Sequence, residues 1–359
     1  MVTRLGVVSY QRGYYYDRQE RRGEYPLDAE LGVEGSMSPE LERMTVKVCA
    51  RLPYETSVVV IRELAQIEVG GATAWRKTQA AGERAMVLEA KYMEKAHKTS
   101  VADPAQTPPA DLAVTLDGAM VHVRQEGWKE FKIGCVFQVT VQPQTKTNRL
   151  GEVLDSVRAS DPAFVMHLGG PDAFGLKLAT RAEQRGWSVA PQRAVIGDGA
   201  AWIWNLAQHH FDDAAHIVDW YHAKQHLWSA AHILFSNDAA PAAEWVARQA
   251  DLLYAGQANS IADQLMRLAA LAHPADKAKL ETQAGYFSSH HSRMQYRDFQ
   301  MASLPIGSGT VESAAKQTKQ RVAAAGMRWS RPGLERLLPL RAALMEDRFD
   351  QLWHDSCPS

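Results

Sequence analysis

The chain has 359 residues, of which 46% are hydrophobic and 23% charged, and its formal net charge at pH 7 is −1. These values are ordinary for a globular protein, leave room for two or three domains, and exclude a low-complexity or strongly charged chain. Because no run of about 18 apolar residues occurs and the N-terminus lacks a signal-peptide pattern, we expect no contact with a membrane.

The cysteines indicate the compartment. Cys49, Cys135 and Cys357 are isolated in the sequence and odd in number. Such usage is typical of a reducing environment, and the absence of a CxxC pair leaves no zinc ribbon built from cysteine alone. We therefore expect a cytoplasmic protein.

The N-terminal part begins with a hairpin and loop, which the alternating sequence VTRLGVVSYQRGYYY predicts within residues 1–36. A helical domain follows over 37–98. Ser38 is a good N-cap and Pro39 suits the first helical position, so a helix over 38–52 is predicted.

Two more helices fit residues 54–67 and 74–97, separated by the turn EVGGATA. Short helices around a glycine-containing turn suggest a helix-turn-helix, although any small three-helix bundle gives the same pattern. Residues 99–111 carry three prolines without apolar periodicity and indicate a linker.

The remainder of the chain predicts an α/β core interrupted by helices. Strand and helix patterns alternate over 112–219, the segment 220–301 is helical and rich in Ala and Leu, and 302–348 is helical again. The core is therefore predicted over 112–219 plus 302–348, with 220–301 as an all-α insertion. The elements expected within the core are strands 111–124 (broken by a turn at Asp117-Gly118) and 132–142, helix 171–187, and strand-helix pairs over 193–211 and 214–234.

Three carboxylates occupy breaks between these elements. Asp117 and Asp198 each follow a strand and adjoin glycine, and Glu312 opens a helix behind the Gly-rich hinge of Gly307–Gly309. Ligands gather at the carboxyl ends of strands in open α/β sheets, and hard divalent cations prefer a few carboxylate oxygens. These acids are candidates for binding two magnesium ions, although each Asp-Gly by itself is also typical of an ordinary turn.

Asp219 and His222 form a further candidate in the sequence IVDWYHAKQH. His222 and His226 lie one helical turn apart, a spacing that can chelate zinc. Ala223 stands where the HExxH pattern would need its glutamate, and no third ligand is obvious. A zinc hydrolase is thus an alternative with little support.

The segment 312–341 contains seven basic and two acidic residues. Such a strip suits contact with a phosphate backbone, and it equally suits an ordinary solvated helix face. Lys316 lies one turn after Glu312, where it can contact a phosphate or form a simple pair with that glutamate.

Several motifs together resemble the bacterial insertion-sequence transposases of the DDE class, in the Kra-type group of their Mutator-like branch. The matching segments are YPLDAELGV (25–33), LDGA (116–119), IGDGAAWIW (196–204), DWYH (219–222), PIGSGTVES (305–313) and GMRWSRPGLERLLPLR (326–341). The resemblance covers nearly the whole chain, and its last two segments are the most specific.

The resemblance implies a ribonuclease H-like core with an all-α insertion and a catalytic, metal-binding triad of Asp117, Asp198 and Glu312. It implies that Asp219 and His222 support this site, that the cofactor is Mg²⁺ or Mn²⁺, and that two ions bind. The implied activity is cleavage and strand transfer of double-stranded DNA, both element ends and target, by a dimer or larger assembly associated with the bacterial nucleoid.

Under this hypothesis, the DNA contacts fall on aromatic and basic residues in two regions. Three of these residues lie at the start of a candidate recognition helix, and five basic residues are expected to contact phosphates. Trp329 is expected either to stack on an unpaired base or to pack in the core. These residues are Trp75, Arg76 and Lys77, then Lys316, Lys319, Arg321, Arg328 and Arg331, with Trp329.

One departure motivates a rival function. The family pattern carries a cysteine pair after the tyrosines, whereas this chain reads YYYDRQERRGEYPLD and has none. A domesticated or inactive DNA-binding protein derived from a transposase is therefore the alternative.

Overall fold

The computed structural model describes residues 1–33, 36–98, 110–236 and 238–356. Residues 99–109 of the predicted linker and Cys357 lie outside the described residues. By its internal contacts the chain divides into two units. The first consists of Met1–Lys98, Met120–Lys129 and Gln317–Ser359, and the second of Thr99–Ala119 and Glu130–Lys316.

Strands and helices are numbered in chain order. The strands are β1 (Val2–Thr3), β2 (Gly6–Val7), β3 (Tyr15–Asp17), β4 (Arg22–Glu24), β5 (Leu112–Val123), β6 (Gly127–Thr147), β7 (Val153–Leu168), β8 (Arg193–Gly197) and β9 (Ala215–Val218). The helices are α1 (Pro26–Glu30), α2 (Pro39–Arg51), α3 (Tyr54–Ala65), α4 (Gly71–Lys98), α5 (Pro171–Glu183), α6 (Ala201–His210), α7 (Trp220–Leu234), α8 (Ala239–Tyr254), α9 (Ala258–Leu271), α10 (Pro274–His290), α11 (Tyr296–Met301), α12 (Gly309–Val322), α13 (Arg331–Met345) and α14 (Phe349–Ser356). None of the described helices combines the length and apolarity needed to cross a bilayer.

The first unit is mainly helical and starts with two small hairpins, β1–β2 and β3–β4. The Ser38 hydroxyl accepts a hydrogen bond from the Leu41 amide at 3.3 Å, as its predicted N-cap role requires. Helices α2, α3 and α4 enclose a core that includes Leu41, Cys49 and Ile61. The hairpin and the three helices predicted here are confirmed as elements.

The C-terminal helices α13 and α14 pack on α4, and α13 also packs on α2. The sequence-based boundaries placed 302–348 in the α/β core, whereas the contacts group Gln317–Ser359 with the N-terminal helices. This difference arises because the apolar faces of α2 and α4 need a partner, and a boundary drawn along the sequence does not reveal which later helix supplies it.

Helices α4 and α13 approach each other closely at Gly82. A Cβ atom on Gly82 would lie 2.0 Å from the backbone oxygen of Arg336. Backbone atoms cannot move aside as a flexible side chain can, so only glycine fits this crossing.

We expect Gly82→Ala to destabilise the first unit by about 1–3 kcal/mol, the usual cost of overpacking. Gly285→Ala in α10 is the matched control, because a Cβ there meets nothing within 4 Å. The control should raise stability by about 0.5–1 kcal/mol, since alanine costs less backbone entropy in a helix. Calorimetric unfolding measures both, and a Gly82→Ala protein as stable as the parent would contradict the close approach.

The second unit is built on a five-stranded mixed sheet in the order β7-β6-β5-β8-β9. Strands β5, β8 and β9 are parallel to one another, and β6 and β7 are antiparallel. The predicted α/β fold with a central sheet is confirmed at this level. Between β9 and α12, the described residues form helices α7 to α11 without a strand, so the predicted all-helical segment 220–301 is confirmed as helical.

The predicted turn at Asp117-Gly118 is wrong, because β5 runs unbroken from Leu112 to Val123. Gly118 is needed for a different reason. A Cβ on Gly118 would lie 2.1 Å from Oε1 of Glu130, so glycine makes room for that side chain. Asp117 therefore projects from within a strand.

Strand β7 was not predicted, because Asp161 and Pro162 interrupt its sequence and suggest a break. In the structure this strand pairs only with β6, at the edge of the sheet. The register shifts between the pairs Val136↔Ala163 and Gln138↔Ser160, and Asp161 has a φ of 46°. An edge strand tolerates proline at such a bulge because one side needs no ladder hydrogen bonds.

Candidate metal centre

The register of the parallel strands brings three aspartates to one level. Backbone pairing aligns Thr115 with Ile196, and Ile196 with Ile217. Two residues beyond this row come Asp117, Asp198 and Asp219. Neighbouring strands lie about 4.8 Å apart, so the register indicates that these aspartates lie level with one another. Asp198 and Asp219 directly follow β8 and β9, whereas Asp117 lies within β5.

Asp198 is held by one local and one long-range hydrogen bond, and its side chain is partly exposed. Its Oδ1 accepts a hydrogen bond from the Ala200 amide at 2.8 Å, which orients the carboxylate at the start of α6. Its carbonyl oxygen accepts from the Tyr286 hydroxyl at 2.9 Å. Gly199 follows with a φ of 107°, a conformation that favours glycine. The backbone around Asp198 is thus fixed on both sides.

Asp219 is fully buried and links α7 to the segment before α12. Its Oδ1 accepts from the backbone amide of His222 at 2.8 Å, and its Oδ2 accepts from the backbone amide of Ser308. The backbone amide of Trp220 also donates to the carbonyl of Ile306 at 2.9 Å. Two buried amides are therefore satisfied by one carboxylate, a charge-assisted arrangement.

Glu312 reaches the same place through Ser308. The Ser308 hydroxyl donates to Oε1 of Glu312 at 3.2 Å, while its amide is held by Asp219. Ser308 is only 3% exposed. The glycine-rich segment is therefore anchored at Ser308, to Asp219 through its amide and to Glu312 through its hydroxyl. Asp219 positions Glu312 through this serine.

His222 lies between the two acids. Its Nδ1 is 3.4 Å from Oδ1 of Asp219 and 3.9 Å from Oε1 of Glu312, and it makes no well-aligned hydrogen bond with the described residues. The Asp219 carboxylate raises the pKa of His222, burial acts against it, and the charges of Asp198 and Glu312 raise it further. The negative charges of Asp198 and Glu312 thus both raise the pKa of the His222 imidazole.

Burial by itself would raise the pKa of Asp219, but hydrogen bonds from His222 and Ser308 outweigh it and lower that pKa. The carboxylate is therefore ionised at neutral pH although it is fully buried. The surrounding backbone amides and the imidazole of His222 stabilise this ionised carboxylate.

Asp219, His222 and Glu312 form a compact group that could hold a metal ion, with one ligand atom from each residue within 4.8 Å of the others. Across the described residues, Asp117 and Asp198 do not take part in such a group. The predicted triad is therefore not gathered as tightly as Asp219, His222 and Glu312. The charges of Asp198 and Glu312 both act on His222, and the strand register aligns Asp117 with Asp198.

His226 does not join this group. Its Nδ1 lies 2.7 Å from Oε1 of Gln283, and its ring stacks on Tyr286 at 3.5 Å between centroids. Burial lowers the pKa of His226. The chelating pair of His222 and His226 that the zinc alternative needs is thus not formed, because His226 is engaged by α10.

The first candidate DNA contacts lie early in α4. Trp75 and Arg76 are exposed, Trp75 to 47%. Lys77 is mostly buried and lies 2.5 Å from a carboxylate oxygen of Glu42. Lys77 therefore serves an internal ion pair, while Trp75 and Arg76 remain available on the surface.

Two predicted DNA contacts are buried in the first unit and are corrected here. Arg321 is 2% exposed, its Nε donates to the Cys49 carbonyl at 2.9 Å, and its guanidinium lies 5.0 Å from the Tyr54 ring centroid. Trp329 is 8% exposed and its indole donates to the Val322 carbonyl at 2.7 Å. Both are packing residues: Arg321 lies on the inward face of α12, and Trp329, between α12 and α13, exchanges backbone hydrogen bonds with the end of β5.

The other basic candidates are on the surface. Lys316, Lys319 and Arg328 are exposed, and Lys316 lies 4.0 Å from Oε2 of Glu312. Arg331 is engaged by Glu126 at 2.6 Å and by a second glutamate of α13. The pair with Glu126 is bidentate, with Nε donating to Oε1 at 2.9 Å and the guanidinium donating to Oε2 at 2.6 Å, so Arg331 is held by carboxylates.

Sequence reasoning missed the roles of Ser308 and Tyr286. Ser308 lies in the motif PIGSGTVES (305–313), but no sequence pattern indicates that its backbone amide binds a residue 89 positions away. Tyr286 lies in the helical insertion, where an aromatic residue in α10 gives no sign of a contact with Asp198. Neither the family models nor the curated proteins with which this chain was compared give a match.

Proposed function

We propose that this chain is a DNA transposase of the DDE type, which cuts the ends of an insertion sequence and transfers the freed strand to a target. The observation that carries the proposal is the convergence at one end of the sheet. Asp117 and Asp198 lie abreast by register, and Glu312 arrives from a distant segment through the contacts of Asp219 and Ser308.

The fold supports this proposal. A mixed sheet in the order β7-β6-β5-β8-β9, followed by a helical segment and then the helix that carries Glu312, is compatible with a ribonuclease H-like core. Since folds host many chemistries, the site carries more weight than the architecture.

The donor set fits a hard divalent cation. Asp117, Asp198 and Glu312 offer carboxylate oxygens on partly exposed side chains, which suits two Mg²⁺ or Mn²⁺ ions that keep water and phosphate in their remaining positions. When bound, such ions supply charge stabilisation and an activated oxygen nucleophile for phosphodiester chemistry.

Asp219 and His222 are better suited to positioning than to binding these ions. Both oxygens of Asp219 already accept hydrogen bonds from backbone amides, and its side chain is fully buried. Nδ1 of His222 lies 3.4 Å from Oδ1 of Asp219, where the imidazole can support that buried carboxylate. We therefore assign Glu312 to the metal and the other two to holding Glu312 in place.

The remaining residues of the proposal handle DNA. Lys316 is 77% exposed one turn beyond Glu312, where its ammonium group can neutralise a phosphate oxygen. Lys319, Arg328, Trp75 and Arg76 are exposed candidates for sequence-independent contacts with duplex DNA. Since two element ends must be joined to one target, we propose that the active form on DNA is a dimer or larger.

The experiment is a cleavage assay on duplex DNA that carries the inverted repeats flanking the gene. Purified protein should produce nicks with 3′-hydroxyl ends in Mg²⁺ or Mn²⁺, and none after chelation with EDTA. Ca²⁺ should support binding without efficient cleavage, because it prefers longer and more flexible coordination than Mg²⁺.

Binding without nicks in either Mg²⁺ or Mn²⁺ would overturn the enzyme proposal and favour the rival, a DNA-binding protein derived from a transposase. Nicking that survives EDTA would instead point to a metal-independent nuclease. Stoichiometric zinc that resists dialysis would contradict the roles given to Asp219 and His222.

A further inference from the structure

A cavity of about 510 Å³ opens in the second unit beside the acid cluster. One wall is the start of α7, with Trp220 and Tyr221, and another is the segment from Leu304 to Thr310 that leads into α12. Both segments also build the metal centre. Tyr221 precedes His222 in the sequence, and Thr310 lies within one helical turn of Glu312.

The aromatic wall has a fixed part and an exposed part. Trp220 packs edge-on against Tyr254 and Tyr296, with ring centroids 6.0 and 4.9 Å apart. Tyr221 is 59% exposed at the cavity and rests beside Gly307. An exposed tyrosine over a preformed cavity offers a flat face without the cost of ordering a long side chain.

Two basic residues and one carboxylate line the cavity. Lys146 and Arg149 line it from the end of β6 and the turn after it, and both are exposed. Arg149 contacts Asp251 at 2.7 Å across an exposed ion pair. The carboxylate that also lines the cavity, Asp155, is already engaged by the amide of Gln144 and the hydroxyl of Ser303.

We propose that this cavity receives one unpaired nucleotide of the DNA strand that is cut, with its base stacked on Tyr221 and its phosphate near Lys146. The inference rests on the proposed function and identifies a binding site that the acid cluster by itself does not provide. The cavity volume falls in the range of small-molecule sites, about 300–1,000 Å³, and so accepts a nucleoside but not a duplex.

The cavity and the acid cluster share the start of α7. Tyr221 and His222 both lie in the first turn of α7, and Nδ1 of His222 is 3.9 Å from Oε1 of Glu312, so one helical turn contributes to both the cavity and the acid cluster. An aromatic side chain can compensate for the stacking that a nucleotide loses when it is unpaired. The structure offers that compensation beside the acids.

The test uses a short duplex with a single-stranded overhang, and the matching blunt duplex, both in Ca²⁺ and followed by fluorescence anisotropy. Tyr221→Ala should weaken binding of the overhang duplex about tenfold and leave the blunt duplex nearly unchanged, because stacking on an aromatic side chain is lost. Tyr221→Phe should retain the affinity. Trp228→Ala is the control, since Trp228 is an exposed aromatic of the same helix outside the cavity lining.

A second readout locates the base. 5-Iodouracil at the first unpaired position should crosslink to the peptide that contains Tyr221, and Lys146→Ala should lower the yield. Equal loss of overhang and blunt binding in Tyr221→Ala, or a crosslink outside the cavity, would overturn the proposal. Equally tight binding of free thymidine monophosphate would also overturn it, because the cavity would then serve a small ligand.

This design separates the two proposals. Metal-dependent nicking without a Tyr221 effect would reject the nucleotide site and leave the transposase intact. A crosslink at Tyr221 without nicking in Mg²⁺ or Mn²⁺ would reject the enzyme and leave a site for unpaired DNA.

Discussion

Asp198→Asn is expected to abolish Mg²⁺-dependent strand cleavage, with a rate loss of at least about 100-fold. Asparagine keeps a side-chain oxygen for the Ala200 amide, so the turn before α6 is retained while the negative charge is lost. A bound cation supplies several kcal/mol of charge stabilisation, and each 1.4 kcal/mol corresponds to about tenfold in rate. The measurement is the rate of 3′-hydroxyl product formation at saturating DNA.

The matched control is Asp212→Asn, an exposed aspartate of the same unit. It should cleave like the parent protein. DNA binding and the thermal unfolding of Asp198→Asn should also match the parent. A variant that still cleaves at the parental rate would remove Asp198 from the metal site.

Asp117→Asn and Glu312→Gln extend the series. Residues that hold the same ions act as one unit, so a double variant should cleave no more slowly than the slower single variant. Additive losses would indicate that these acids serve separate functions.

Asp219→Ala is expected to destabilise the second unit by about 3 kcal/mol or more, because it leaves two amides without their charged acceptor and His222 without its partner. For a unit of this size, that loss corresponds to a fall in Tm of roughly 6–12 °C. Cleavage should fall as well, since Ser308 no longer holds Glu312. Circular dichroism on heating measures the first effect.

The effect of Asp219 should depend on pH. The lowered pKa of Asp219 means that its contribution is lost as pH falls through the folded-state pKa, below the usual 3.8. The raised pKa of His222 means that its contribution is full below the usual 6.5 and is lost as pH rises through the folded-state pKa. The Tm difference between parent and variant should therefore be largest between these two usual values.

Asp238→Ala is the control for this prediction. Asp238 precedes α8 as Asp219 precedes α7, but its side chain makes no capping hydrogen bond. Its replacement should change stability by less than about 0.5 kcal/mol. Equal effects of the two substitutions would show that Asp219 is an ordinary cap and does not position the site.

Local sequence patterns determined many elements of this protein. Ser38 and Pro39 predicted the start of α2, and the alternation of apolar and polar residues predicted β6. The Asp-Gly and Asp-Trp pairs that follow short apolar segments predicted the ends of β8 and β9. Capping, periodicity and turn chemistry act over a few residues, so one stretch of sequence contains what they need.

Long-range packing decided the rest. In the sequence, Arg321 and Trp329 resemble a basic and an aromatic DNA contact. In the structure they are buried, because Arg321 contacts α2 and α3 and its guanidinium also packs on the Trp329 ring. The edge strand β7 forms because its backbone pairs with β6, although Pro162 lies in the middle of the strand. These packing and pairing partners come from distant segments of the chain, and the type of a residue does not predict which segment it will contact.

For the candidate site, the sequence by itself determined the acids and the motifs that carry them. Only the tertiary structure decided which of them meet. Strand register set Asp117 beside Asp198, and the buried carboxylate of Asp219 drew Ser308 and Glu312 towards His222. The physical reason is that a buried charge must find hydrogen-bond donors wherever the fold supplies them. Asp219 finds one in the His222 amide three residues away and the other in the Ser308 amide, 89 residues along the chain.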